Sequence, residues 1–409
     1  MHRLGPGLLF AAAAVGVSHL VQSTRAGANF GLSLLFFVLL ANAVKYPAFR
    51  FGPEYASATG ESLLEGYRRL GRWAVFMYGA LTLTTMFTVQ AAVTVVTAGL
   101  AIAVFQLSVS ALLASSVILA LCALVLFVGG YRLLDGMTRV LVAVLTGSTL
   151  LATLLVLPQL PFDTWIPFSG MDTGEALFLA ALFGWMPSAI DVSVWQSLWT
   201  LEQARLRRVP PDVPTSRFDF HVGYLGTAGL AVCFLCLGAG VLHAENLGFP
   251  QSASGFAAQL ISMYGLLLGS WAEPLVGLAA LAVMFSTTLA VLDGFPRAVQ
   301  QCLVQFVPMD GERSRTSVRL LTIVLSLGAL GLIASLLQSL ADLVDVATVL
   351  SFLTAPILSW LNHRCMTASW VPASVRPGRW LSGYSVTCIG LQSVFAAVYL
   401  WLRWYEFGA

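Results

Sequence analysis

Three side chains of unlike chemistry stand inside otherwise apolar stretches: His19, Met186 and Asp191. A neutral imidazole ligates transition metals and, because histidine titrates near physiological pH, it also carries protons. The Met186 thioether is a soft ligand that favours later transition metals over magnesium or calcium. Asp191 is a carboxylate within a segment long enough to span a bilayer. A charge at the centre of such a helix costs about 2.5–3.5 kcal/mol unless it is paired or faces water, which marks it as functional. The neighbours extend the pattern. His19 follows Gly16-Val17-Ser18, a sequence that interrupts a helix, and Gln22, Ser23 and Ala26 share its face at i+3, i+4 and i+7. Asp191 comes just after Gly184-Trp185-Met186-Pro187-Ser188 and shares a face with Ser188 and Trp195. One binding site is therefore expected from Gly16, Ser18, His19, Gln22, Gly184, Met186, Ser188 and Asp191. Met186, His19 and Asp191 are its expected metal ligands, helped by freed carbonyls at Gly16 and Gly184, with His19 and Asp191 as proton relay. A single carboxylate neutralises a hard divalent ion poorly, so magnesium is the least favoured metal. Trp195 and Gln196 read as packing and interface residues.

The elements that must position these groups are long apolar segments. Apolar residues make up 58% of the 409-residue chain and charged residues only 10%, far from a soluble domain, where about a quarter are charged. Mean hydropathy is +0.84. About eleven segments can cross a hydrocarbon core, near 6–28, 30–52, 73–101, 108–129, 136–159, 175–199, 219–242, 273–297, 316–337, 342–362 and 380–402. Of the 21 basic residues, all but Arg25 and Arg403 precede these segments or fall in or beside alternate gaps between them; Lys45, the lone lysine, is counted there. The positive-inside rule then puts the amino terminus in the cytoplasm and, with an odd count, the carboxyl terminus outside. The reading is an all-α integral membrane protein of a bacterial inner (plasma) membrane.

The net charge of +2 gives no reason to expect nucleic acid; the expected partners are the lipid bilayer and a small transported substrate, with no resident cofactor and no oligomeric state implied. No Walker loop is present, because Lys45 does not follow a glycine-rich loop, so hydrolysis-driven work within the chain is excluded. Cys233 and Cys236 form a C-x-x-C without a second pair and are expected to pack in the interior. The polar stretches are short, which leaves no soluble domain, and residues 253–264 form an amphipathic piece expected along the membrane surface. Met1 to Ala14 has the look of a signal peptide, but the charge alternation needs it as part of helix one.

Helix one breaks at Gly16 to His19 and helix six, five spans later, at Gly184 to Ser188. A five-span shift reverses orientation, so the chain reads as two inverted five-helix repeats, 1–159 and 160–362, followed by an eleventh helix and tail, 363–409. Matched broken helices in inverted repeats point to a site at the bilayer midplane.

Gly5-Pro6-Gly7, then Ala26-Gly27-Ala28-Asn29-Phe30-Gly31 and Leu39-Leu40-Ala41-Asn42, resemble the first two helices of the Nramp metal-ion transporters, and Met186-Pro187 resembles that family's helix-six Met-Pro. The resemblance implies an amino-acid/polyamine/organocation-type fold and proton-coupled uptake of manganese or iron. Departures fall at the family's ligands. Its helix-one Asp-Pro-Gly-Asn reads Gly16-Val17-Ser18-His19 and its helix-six histidines read Ser188 and Ser193; the acidic helix-three positions that the family ties to proton movement read Val89 and Ala92, and a polar helix-ten ligand position reads Thr348, which the resemblance adds to the expected binding residues. The expected function is a secondary transporter of a divalent transition-metal cation, working by alternating access and linked to protons. Alternatives are a carrier of a small amine or amino acid on the same fold and a membrane sensor that no longer transports. Elsewhere, Arg25 is expected at lipid headgroups or paired with Glu245 or Glu273. Asp293 should pair with Arg297, and Asp135 with Arg132 or Arg139. Asp342 and Asp345 read as a solvated helix start.

Overall fold

The computed structural model describes residues 6–128, 131–162, 173–245, 250, 252–336 and 340–408. Arg3 lies outside them, as do the side chains of Arg132, Asp135 and Arg139. The described chain is helical: α1 (Pro6–Ala14), a π-helical turn (Ser18–Ser23), α2 (Thr24–Phe30), α3 (Leu35–Thr59), α4 (Leu63–Leu70), α5 (Arg72–Phe105), α6 (Ala111–Val128), α7 (Tyr131–Val156), α8 (Thr173–Trp185), α9 (Asp191–Arg207), α10 (Val213–Leu237) running into a second π turn (Gly238–His243), α11 (Ala253–Leu268), α12 (Ala272–Val304), α13 (Gly311–Leu336), α14 (Leu340–Met366) and α15 (Arg379–Gly408).

Among the described residues, eight helices are long and apolar enough to cross a membrane. Each of the eleven expected segments nonetheless has a counterpart. The other three are α1 with α2, α8 with α9, and α3: two are broken into short halves, and the third carries Lys45, Arg50 and Glu54. Charge and interruption are what lower the apolar signal where the interior is polar.

The outer helices α6, α13 and α15 bury little of their spans. On α6, Leu113, Val117, Leu121 and Leu124 are exposed at helical spacing, a stripe suited to hydrocarbon. The interior gathers α1, α3, α5, α8, α9, α10, α12 and α14. The amphipathic segment is α11, whose Phe256, Leu260, Met263 and Tyr264 are buried, with Tyr264 Oη 2.7 Å from Thr149 Oγ1 of α7. Cys233 and Cys236 are buried free thiols.

At the end where α3 finishes, polar side chains tie helices together. Glu54, 1% exposed, accepts from Arg50 at 2.8 Å and from Arg217 of α10 at 2.5 Å. Asn362 of α14 donates to the Ala48 carbonyl at 2.9 Å and to Ser193 Oγ at 2.8 Å, and accepts from Tyr67 at 2.5 Å. One amide thus joins α3, α4, α9 and α14. Interhelical bonds of this kind hold membrane bundles where the hydrophobic effect between helices is absent.

Small residues allow the closest crossings. A Cβ on Gly27 of α2 would sit 2.0 Å from the Leu235 carbonyl oxygen, and one on Gly238 would sit 2.2 Å from that of Thr24. Gly27→Ala is therefore expected to cost about 1–3 kcal/mol, the range for overpacking, and to lower the melting temperature in detergent. Gly226→Ala, where an added Cβ meets nothing within 4 Å, should leave that temperature unchanged; equal melting of the two variants would contradict the close crossing.

Candidate functional site

Helix one loses its winding around Gly16, between α1 and the first π turn, and helix six loses it between Trp185 and Asp191, across a cis Met186-Pro187 peptide. A cavity of about 30 Å³ lies between the two breaks and is closed laterally by α5 and α12. That is room for a water molecule or a bare ion. Its polar lining comes from Ser18, Ser188, Asp191, Trp195 and Thr287, and its apolar wall includes Val89, Val93 and Phe295.

Of the expected site residues, Ser18, Ser188 and Asp191 meet at this cavity. Asp191 is 1% exposed and accepts from Thr82 Oγ1 of α5 at 3.3 Å. The others point elsewhere. His19 turns to α10, where Nε2 donates to the Thr227 carbonyl at 2.9 Å, and Nδ1 lies 2.8 Å from Ser18 Oγ. Both ring nitrogens thus lie against protein oxygens, and the imidazole is outside the cavity lining. Met186 is fully buried and outside the cavity lining. The Gly16 carbonyl is not free, since it accepts from the His19 and Leu20 amides at 3.1 and 2.9 Å. Thr348 returns its hydroxyl to the Val344 carbonyl of its own helix at 2.8 Å. It meets helix six through its backbone, because a Cβ on Gly184 would stand 1.9 Å from the Thr348 carbonyl oxygen.

Sequence reasoning misplaced Lys45. Counted among basic residues at a membrane boundary, it instead lies in the middle of α3, roughly 15 Å along the axis from Leu35, and is 2% exposed. Its Nζ donates to the Gly184 carbonyl at 2.8 Å and to the Ser188 carbonyl at 3.1 Å. The expected free carbonyl of Gly184 is therefore occupied by an ammonium. The signal was available: Lys45 stands well inside the apolar segment 30–52. Two threonines were also missed. Thr82 holds Asp191, and Thr287 of α12 donates to the Ala12 carbonyl at 2.8 Å beside the break in helix one.

Two further sets of contacts fasten the halves of helix one outside the cavity lining. On α2, Arg25 meets Asp345 at 2.7 Å and its guanidinium lies 4.8 Å from the centre of the Phe178 ring. Gln22 donates to the same carboxylate at 3.3 Å. Arg25 thus has a partner on α14 rather than Glu245 or Glu273, and Asp345 is a bridging residue rather than a solvated helix start. Gln22 belongs to this cluster and not to the cavity lining. On α1, the Gly7 amide donates to Asp219 of α10 at 2.6 Å, and a Cβ on Gly223 would lie 2.3 Å from the Gly7 carbonyl oxygen, which fastens α1 to α10. The Asp293–Arg297 pair forms as expected, at 2.7 Å.

Residues 7–402 match the family described as natural resistance-associated macrophage protein-like, Nramp. An uncharacterised protein of Pasteurella multocida is 34% identical over 366 residues, covering 88% of this chain and 83% of its own. Among solved structures, a variant of the Eremococcus coleocola manganese transporter superposes with a TM-score of 0.72 at 14% identity, over 96% of this chain and 85% of that one. MhsT in complex with L-phenylalanine superposes with a TM-score of 0.67 at 14% identity, over 98% of each chain. At these identities the two structures establish the fold: broken first and sixth helices within the five-plus-five arrangement that the apolar segments suggested. With nearly its whole length matched by the family, the chain belongs to the Nramp family of integral membrane proteins.

Proposed function

We propose that the chain is a secondary transporter that carries a metal ion by alternating access through the cavity between its two broken helices. The observation that carries this reading is the space itself: an ion-sized cavity with one buried carboxylate between two broken helices, with the Arg25–Asp345–Gln22 cluster on α2 and the docking of α1 on α10 as the contacts that would open and close around it. Opening one closure while the other holds would expose the cavity to one side at a time. Family membership and the manganese transporter neighbour support a metal cargo. The lining refines which metal. Ser18, Ser188, Thr287 and Asp191 offer oxygen donors, whereas the Met186 thioether and His19 imidazole face elsewhere. Carboxylate, hydroxyl and water ligands suit manganese better than softer ions. Asp191 is the group to receive a proton or bind the metal, and the charge pattern supports an amino terminus in the cytoplasm, which would make the Arg25 closure the outer one.

One observation favours the second reading, a small organic solute as cargo, in its zwitterionic amino-acid form rather than as a free amine. The Lys45 ammonium stands at the helix-six break, so it and Asp191 together leave little negative charge for a divalent ion. Purified protein in liposomes distinguishes the two readings. Metal transport predicts uptake of manganese and a rise in melting temperature with that ion, and Asp191→Asn should slow uptake at least about tenfold, the factor for each 1.4 kcal/mol of lost interaction. Stabilisation by an amine or amino acid, with no flux of manganese, iron, cobalt or zinc, would replace metal by solute.

The closure has its own test. Asp345→Asn removes the carboxylate that Arg25 and Gln22 share, an interaction worth about 1 kcal/mol for a partly exposed pair. Amide hydrogen exchange across Thr24–Phe30 is expected to rise about fivefold, the equivalent of that energy, and unchanged exchange there would show that the pair does not fasten α2.

A further inference from the structure

Lys45 is the only lysine in the chain, and its position asks for a reason. The last carbonyls of an α-helix lack intrahelical donors and carry the negative end of the helix dipole. In hydrocarbon no water satisfies them, and broken helices of transporters use such carbonyls to hold small cations. Helix α8 ends at Trp185 in the protein interior, so its terminal carbonyls face this demand. It is met from within: the Lys45 ammonium bridges the carbonyl before the break, Gly184, and the one inside it, Ser188, at 2.8 and 3.1 Å.

Two features mark this as a built seat that could hold a positive charge. Among the described residues Lys45 has no carboxylate partner; its bonds go to two carbonyls at the end of a helix, whose oriented dipoles would favour a positive charge there. The place is also tightly framed, because Gly184 lies against the Thr348 backbone on its other side, where a Cβ would be 1.9 Å from the carbonyl oxygen. The break therefore cannot relax far without an occupant.

We propose that the helix-six break is a binding seat for one small monovalent cation, and that the Lys45 ammonium fills it as a tethered substitute. The unwound turn then keeps its shape without any dissolved ion, and its carbonyls are withheld from the cargo, which meets the side chains of Ser18, Ser188 and Asp191 instead. This holds whichever cargo is carried, and the test reads no transport.

Lys45→Ala vacates the seat, Lys45→Met fills it without charge, and the melting temperature of each is compared in choline, sodium, potassium and ammonium chloride at equal ionic strength. The wild type should melt at one temperature in all four salts. Lys45→Ala should melt several degrees lower in choline and regain at least half of the loss with sodium, potassium or ammonium. Lys45→Met should stay low in every salt. If no small cation restores Lys45→Ala, or if Lys45→Met melts with the wild type, the seat does not exist. Should Lys45→Ala fail to fold, an amine-reactive reagent reports on the wild type, whose one side-chain amine must resist modification until the protein unfolds; labelling of native protein at the rate of an exposed amine would equally overturn the proposal.

Discussion

A bilayer interior supplies no hydrogen-bond partner, so each turn of helix that comes unwound there must be satisfied by the protein itself. That constraint governs this fold. Helix one meets it locally. The Gly16 carbonyl is taken by the two amides that follow in the π turn, and Thr287 reaches across from α12 to the Ala12 carbonyl. Helix six meets it with a charge, the ammonium of Lys45. The two breaks therefore face one cavity but are built differently: one closes on itself, and the other depends on a neighbouring helix.

This difference decides which atoms remain for chemistry. Carbonyls that would otherwise be donors to a cargo are already engaged, as is the His19 ring, which Ser18 and Thr227 hold between them. What is left around the cavity is a set of hydroxyls with the Asp191 carboxylate. Neither the imidazole of His19 nor the thioether of Met186 lines it, so the surface there is a harder, oxygen-based one. The fold alone does not choose the cargo. It matches a manganese transporter and an amino-acid-bound protein almost equally, and both likenesses lie at 14% identity.

The architecture was legible in the sequence because its signals are long and redundant. Eleven apolar segments, the alternation of basic gaps, and Gly or Pro interruptions in the first and sixth each point the same way. That Asp191, Ser18 and Ser188 meet at one cavity was legible too, since polar groups beside an interruption have few reasons to be there. That His19 and Met186 lie outside the cavity lining was not legible, because residue type gives the ligand chemistry while side-chain direction depends on tertiary contacts. A one-turn π expansion across Ser18–Ser23 shifts the face on which His19 would have lain under regular i+3 and i+4 spacing. Lys45 was misjudged for the opposite reason: counting basic residues toward topology treats every one as a boundary marker, and a lysine deep in a segment breaks that assumption. The Arg25–Asp345 bridge joins residues 320 apart, and no local pattern encodes such a contact.

The account depends most on how helix six is interrupted and what closes the interruption. An experimental density map of the chain in a lipid nanodisc tests this most directly. It should show α8 ending at Trp185, α9 starting at Asp191, and the Lys45 side chain reaching the Gly184 and Ser188 carbonyl oxygens across the gap. A continuously wound sixth helix, or a Lys45 directed to lipid headgroups with those oxygens bare, would contradict it.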